Sequence, residues 1–286
     1  MYMFGKCFMK RLLLPLAACF LFTGCSTVAT PGEVACSGVY FAHLQGVAMN
    51  ENNEYFWSYT TELVKTDADG EVLAYTKVGN HHGDLACYDG KLYCAVSEWS
   101  DYSVGADAGS AKVMVYNQDD LEFLGEYSID DANGIDGITV TPRGFLLAAE
   151  PIPAHESVEN YLLEYDRDFN LLAKYPIETP PTSFGAQAIT NTPDGYIVTY
   201  YGNQILLLNR DFEIITRYKG DAAIGVIADE ERGFAAARHV TEGNYNWTSA
   251  LKLKKWSELT ETTLEELVAE HEERVRQRKL EQEQEQ

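Results

Sequence analysis

Four of the six histidines, His43, His81, His82 and His239, stand at the ends of short apolar runs, near carboxylates, amides and indoles. Gln45, Asp84, Asp136 and Gln187 come just before or at the start of such runs. Trp57, Glu98, Glu150, Tyr200 and Arg238 come at or just past the ends of the runs that follow. This set permits three kinds of chemistry. Histidine with aspartate and glutamate can hold a divalent metal in a central channel. Histidine, glutamate and arginine can do acid–base work around an anionic intermediate. Tryptophan and tyrosine beside carboxylates can bind a sugar by stacking. Each residue also has a plainly structural use, since an Asp or Gln ahead of a strand can cap loop amides. His81 and His82 are consecutive, so in an extended chain only one can face inward. The offset of His82 before Leu85-Ala86 selects it over His81.

What must position these residues is a repeated hairpin. Leu85-Ala86-Cys87-Tyr88 and Leu92-Tyr93-Cys94-Ala95 flank Asp89-Gly90, a turn whose two residues favour positive φ. The same unit recurs around Pro142-Arg143-Gly144, Pro193-Asp194-Gly195 and Arg232-Gly233, with a weaker copy around Glu51-Asn52-Asn53. Second strand pairs lie between these hairpins. Two of them match closely, Arg167-Asp168-Phe169 and Arg210-Asp211-Phe212, 43 residues apart. Four strands in a repeat of this length are the signature of a β-propeller blade. Five units are expected, beginning near Gly46, Gly83, Gly137, Gln187 and Gly225, with six blades the alternative count. The fifth lacks an outer strand, and Val39-Tyr40-Phe41 is free to supply it and close the ring. The fold class is therefore all-β: a five-bladed propeller closed by an N-terminal strand, with a C-terminal helix. That helix is announced by Thr263-x-x-Glu266, a capping box, and by Leu264, Leu267, Val268, His271 and Val275 at helical spacing.

Propeller strands alternate in direction, so loop position decides which end a residue occupies. The short turns inside each strand pair fall at one end. The connectors that carry His43, Gln45, Trp57, His82, Asp84, Glu98, Asp136, Glu150, Gln187, Tyr200, Arg238 and His239 fall at the other, around the mouth of one channel.

The chain carries a formal charge of −22, which repels phosphate backbones and argues against a nucleic-acid partner. At 286 residues and 45% hydrophobic content it can bury one sizeable core. Lys6, Lys10 and Arg11 precede the apolar stretch from Leu12 to Phe22, which is too short to span a bilayer. It ends in Leu21-Phe22-Thr23-Gly24-Cys25, which resembles a bacterial lipobox, with Phe22 where the pattern prefers Leu. The resemblance implies lipidation of Cys25, a partner membrane, and a place in the bacterial cell envelope. Ser26 after the cysteine implies the outer rather than the inner membrane. The organisation expected is a signal peptide over 1–24, a tether over 25–35, the propeller over 36–257, and a helix with a charged tail over 258–286. Cys87 and Cys94 are diagonal neighbours across the Asp89-Gly90 turn, at a separation wider than an unstrained disulfide accepts. Free thiols are expected.

The string from His43-Leu44-Gln45-Gly46-Val47-Ala48 to Tyr93-Cys94-Ala95-Val96 resembles inner strands of the NHL and gluconolactonase-like propellers, over roughly residues 37–256. Gluconolactonase-like members hold a divalent metal at the axis, and Glu150 and Asp136 are the counterparts that likeness implies. Gln45-Gly46-Val47 is also similar to a step in the five-bladed glutaminyl cyclotransferases. Trp57-Ser58-Tyr59-Thr60 stands here in place of their Glu-Ser-Thr-Gly segment. The function expected first is binding of a small ligand, glycan or peptide at the channel mouth. A metal-dependent hydrolase or lactonase is the second expectation, and an envelope interaction module the third.

Overall fold

A computed structural model describes residues 33–284 apart from 80, 99–109, 150–156, 183, 202–203 and 230–232. Twenty-one strands and one long helix are described, and the strands form five sheets around one axis. Strand β1 (Val34–Phe41) begins two residues ahead of the expected propeller boundary. Blade 1 is β2 (Leu44–Met49), β3 (Tyr55–Tyr59), β4 (Glu62–Thr66) and β5 (Val72–Lys77). Blade 2 is β6 (His82–Tyr88), β7 (Lys91–Glu98), β8 (Ser110–Asn117) and β9 (Phe123–Ile129). Blade 3 is β10 (Ile135–Val140), β11 (Phe145–Ala149), β12 (Ser157–Tyr165) and β13 (Leu171–Thr182). Blade 4 is β14 (Ala186–Asn191), β15 (Gly195–Tyr200), β16 (Gln204–Asn209) and β17 (Ile214–Lys219). Blade 5 is β18 (Val226–Asp229), β19 (Gly233–Gly243) and β20 (Asn246–Lys255), with β1 as its outermost strand. A short β21 (Thr260–Thr262) adds a fifth strand to blade 4, and helix α1 (Leu264–Gln284) follows.

The closure is the one expected from Val39-Tyr40-Phe41. β1 pairs antiparallel with β20, Val34 opposite Leu251 and Tyr40 opposite Trp247. Tyr40 then stacks on Tyr59 of blade 1 with ring centroids 4.5 Å apart, so the seam is packed on both sides. Cys36, Cys87 and Cys94 are free thiols.

Burial follows position in the blade. β3 and β4 are buried throughout, whereas the outer β5 and β9 are largely exposed along their length. An inner strand is covered on both faces and reads as an apolar run; an outer strand is covered on one.

The inner strands share a second feature. Each of the first four has a bulge near its start, at Leu44/Gly46, His82/Leu85, Ile135/Ile138 and Ala186/Ala188. A bulge leaves backbone groups without ladder partners. At the axis one side chain takes them up. Asp84 Oδ2 accepts the Ile189 amide at 2.9 Å and the Ile138 amide at 3.4 Å, joining blade 2 to blades 3 and 4. Asp84 stands just before Leu85, where the other bulged strands have Gly46, Gly137 and Ala188. Those positions are small because the strands touch. A Cβ on Gly46 would lie 2.4 Å from the Asp84 Cα, and one on Gly137 would lie 2.9 Å from Ile189 Cγ1. Ser58 and Ser97 complete the register between blades. The Ser58 hydroxyl donates to the His82 carbonyl at 2.9 Å, and that of Ser97 to the Ile135 carbonyl at 2.9 Å.

Helix α1 has the expected capping box. Thr263 Oγ1 accepts the Glu266 amide at 3.2 Å while Glu266 Oε2 accepts the Thr263 amide at 3.3 Å. Leu267 and His271 are buried, and the helix lies against β13.

Candidate functional site

The inner strands begin at one end of the axis, and the loops leading into them form the mouth. Three are approached through a non-glycine residue in the left-handed region: Ala42 (φ 63°), His81 (φ 60°) and Phe184 (φ 64°). Such conformations cost free energy and persist where the surroundings impose them. At His81 the consequence is direct. The left-handed residue interrupts strand alternation, so His81 and His82 are not simply related by a flip. His82 is fully buried in blade 2, with Nδ1 3.0 Å from the Gly79 carbonyl oxygen and Nε2 2.7 Å from the Tyr116 hydroxyl. His81 remains half-buried and close enough to His43 for their charges to interact.

One side of the mouth is imidazole and indole. His43 meets His239 edge-on at 5.8 Å between centroids, and His239 lies 4.5 Å from Trp247. Gln45 hydrogen-bonds the His43 ring. His239 and Trp247 reach this place because β19 and β20 run on past the blade as an extended hairpin. Its tip turns through Asn244 (φ 52°) and Tyr245 (φ 61°), and Ala42 N–H donates to the Tyr245 carbonyl at 2.7 Å. Burial lowers the pKa of all three mouth histidines. The neighbouring His43 deepens the effect at His81, which falls to about 4, and at His239, where Asp221 opposes it. At neutral pH these rings are uncharged, and each offers one donor and one acceptor.

The other side is amide and carboxylate. Gln187 Nε2 donates to Asp136 Oδ2 at 2.8 Å and to the Phe184 carbonyl at 3.0 Å. Phe184 meets Tyr201 edge-on at 6.3 Å. Asp84, below them, is 1% exposed; burial pushes its carboxyl well up, against the pull of the Ile189, Leu85 and Ile138 amides.

The mouth thus gathers His43, Gln45, Asp136, Gln187 and His239 from the residues expected there. Others go elsewhere. Trp57 packs in the core between blades 5 and 1, donating from Nε1 to Thr66 Oγ1 at 3.0 Å. Tyr200 packs between blades 3 and 4. Glu98 is exposed at the end of β7, bonded to Ser110 Oγ and to Lys112 Nζ. Arg238 is exposed and lies on the face of β19 opposite His239, near Lys254. Glu150 lies outside the described residues, as does Cys25. Trp247 was not among the expected residues. Its signal was the Gly243-Asn244-Tyr245-Asn246 turn, which marks a hairpin tip. Among the described residues no three His, Cys, Asp or Glu side chains are gathered so as to hold a metal ion.

No family model matches the chain, and no curated protein does. Solved structures do. The glutaminyl cyclase of Myxococcus xanthus is 11% identical, over 82% of this chain and 100% of that one, with a TM-score of 0.54. A gluconolactonase from Xanthomonas campestris is 15% identical over 73% of this chain and 72% of that one, with a TM-score of 0.46. The WD40 propeller domain of Doa1 is 10% identical over 75% of this chain and 80% of that one, at 0.41. Both kinds of enzyme named from the inner strands are therefore found among the similar structures. At these identities the likeness is one of fold: this chain is a five-bladed β-propeller.

Proposed function

We propose that the mouth binds an uncharged polar ligand, a glycan or a peptide segment, without transforming it. The observation that carries this is the neutral His43–His239–Trp247 cluster, half-buried and set beside the Gln45 amide. A flat indole flanked by neutral donors and acceptors suits a sugar ring or a peptide group. The described carboxylates near the axis are already engaged, Asp84 by backbone amides and Asp136 by Gln187. The test is a glycan and peptide array, followed by prolonged incubation with each hit. Saturable binding with the ligand recovered intact supports the proposal. Conversion of a hit to product moves the hydrolase or lactonase alternative ahead.

The protein works, on this proposal, from a lipid anchor at Cys25 in the bacterial envelope. No described helix is long and apolar enough to cross a membrane. β1 starts at the end of the propeller opposite the mouth, because it runs antiparallel to β20. Eight residues separate Cys25 from Val34, a reach of about 26–29 Å. The anchor would then hold the mouth away from the lipid surface. Intact-mass measurement on detergent-extracted protein tests it, since an acyl mass present in wild type must vanish in Cys25→Ala.

A further inference from the structure

Between blades 3 and 4, at the mouth end of the blades but outward of the inner strands, three hydrogen-bond donors are buried together. Tyr200 ends β15, Gln204 opens β16 directly opposite it, and Arg217 lies in β17 on the same face. They are 1%, 2% and 9% exposed. The only hydrogen bond from the Arg217 guanidinium to a described residue goes to Gln204 Oε1, and at 3.5 Å it is long. That leaves Gln204 Nε2 and the Tyr200 hydroxyl buried with no partner among the described residues. Tyr200 and Arg217 are near enough for their charges to interact, and burial lowers the Arg217 pKa. Glu178 and Glu265 are exposed and act on Arg217 through space; neither forms an ion pair with it. Lys219, next along the same face, is committed to Glu270 of helix α1. The helix leaves from β21 at the edge of blade 4 and packs against β13 of blade 3.

A buried guanidinium without a carboxylate is costly, and buried amides and hydroxyls are rarely left unbonded. Here every unpartnered group is a donor: a planar fork, an amide N–H and a phenol O–H. Their common complement is a planar oxyanion. We infer that this cluster is an anion site, set outward of the mouth between the blades, which takes a small carboxylate-type anion near helix α1. Arg217 supplies the charge, and Tyr200 and Gln204 fix the orientation.

The experiment is calorimetric titration of sodium formate, and separately sodium nitrate, into the full chain in a zwitterionic buffer, with parallel melting curves. Wild type is expected to bind one equivalent saturably and to melt higher as the site fills. Arg217→Gln abolishes both responses. Tyr200→Phe weakens binding at least tenfold yet melts no lower than wild type in the anion-free buffer, because it removes a hydroxyl with no partner. Should Arg217→Gln fail to fold, Tyr200→Phe decides alone. The inference is overturned by a non-saturable salt response in wild type, or by binding that Arg217→Gln retains. It is equally overturned if Tyr200→Phe melts lower without anion, which would mean that the chain itself bonds the hydroxyl.

Discussion

At the end away from the mouth, the turns repeat one another almost residue for residue. Asp67, Asp166 and Asn209 each fold back so that Oδ1 accepts two amides, two and four residues on, at 2.9 Å. Arg167 reaches from its turn to the neighbouring hairpin, donating to the Gly144 carbonyl at 2.7 Å and the Thr141 carbonyl at 2.8 Å. Arg210 does the same for Thr192 and Pro193 one blade later. At the mouth the backbone device recurs, and Gln45, Asp136 and Gln187 share one offset, but the side chains differ from blade to blade. Blade 1 brings His43, blade 2 His81, blade 3 Asp136, blade 4 Gln187, and blade 5 His239 with Trp247. Where each blade must solve the same folding problem, the side chains converge. Where they differ, the repeated fold does not dictate the residue, and loop positions of this kind are where function is looked for first.

Four perturbations break or sharpen that contrast. The largest effect is expected at the axis, where Asp84 joins blade 2 to blades 3 and 4. Asp84→Ala strands buried amides of two blades, at roughly 1–3 kcal/mol each. A loss of about 3 kcal/mol or more is expected in urea denaturation, and a loss under about 1 kcal/mol would contradict its place as the bridge. Next come the turns. Arg167→Ala removes two bonds to carbonyls and the stacking of the guanidinium 4.0 Å over Tyr88, and is expected to cost about 1–3 kcal/mol. Arg210→Ala is more exposed and is expected to cost less, with ligand binding unchanged in both.

The third perturbation is pH. His82 is fully buried with its pKa lowered to about 4, so the unfolded chain takes up a proton below about 6.5 that the folded chain refuses. Its contribution is complete above that value and is lost as pH falls toward 4, at up to about 1.4 kcal/mol per unit. Asp84, its carboxyl held high, acts in the opposite sense. The measurement is therefore a difference. The denaturation free energy of wild type minus that of His82→Gln should shrink from pH 6.5 to 4.5, and a flat difference would refute it.

The repeat was legible because its turns use residues chosen for backbone reasons, such as Asp89-Gly90 and the paired Arg-Asp-Phe strings. Ring closure was legible for the same cause: one unit was a strand short and one strand had no partner. The mouth was legible only in part. Gln45, Asp136 and Gln187 share an offset before a bulge and could be aligned. His81 could not, because a left-handed histidine has no glycine to betray it. Trp57 and Tyr200 were drawn into inter-blade cores, where strand parity rather than loop position sets the direction of the side chain. Asp84 carried an overlooked signal, the one large residue in a row of glycine and alanine.

The smallest expected effect on stability, and the most direct test of a binding mouth on a structural base, is Trp247→Ala. Calorimetric titration of the best array ligand into wild type, Trp247→Ala and Arg167→Ala would decide it. Trp247→Ala should bind at least tenfold more weakly with stability changed by less than about 1 kcal/mol, and Arg167→Ala should bind as wild type does. Undiminished binding in Trp247→Ala, or a loss confined to Arg167→Ala, would contradict the account.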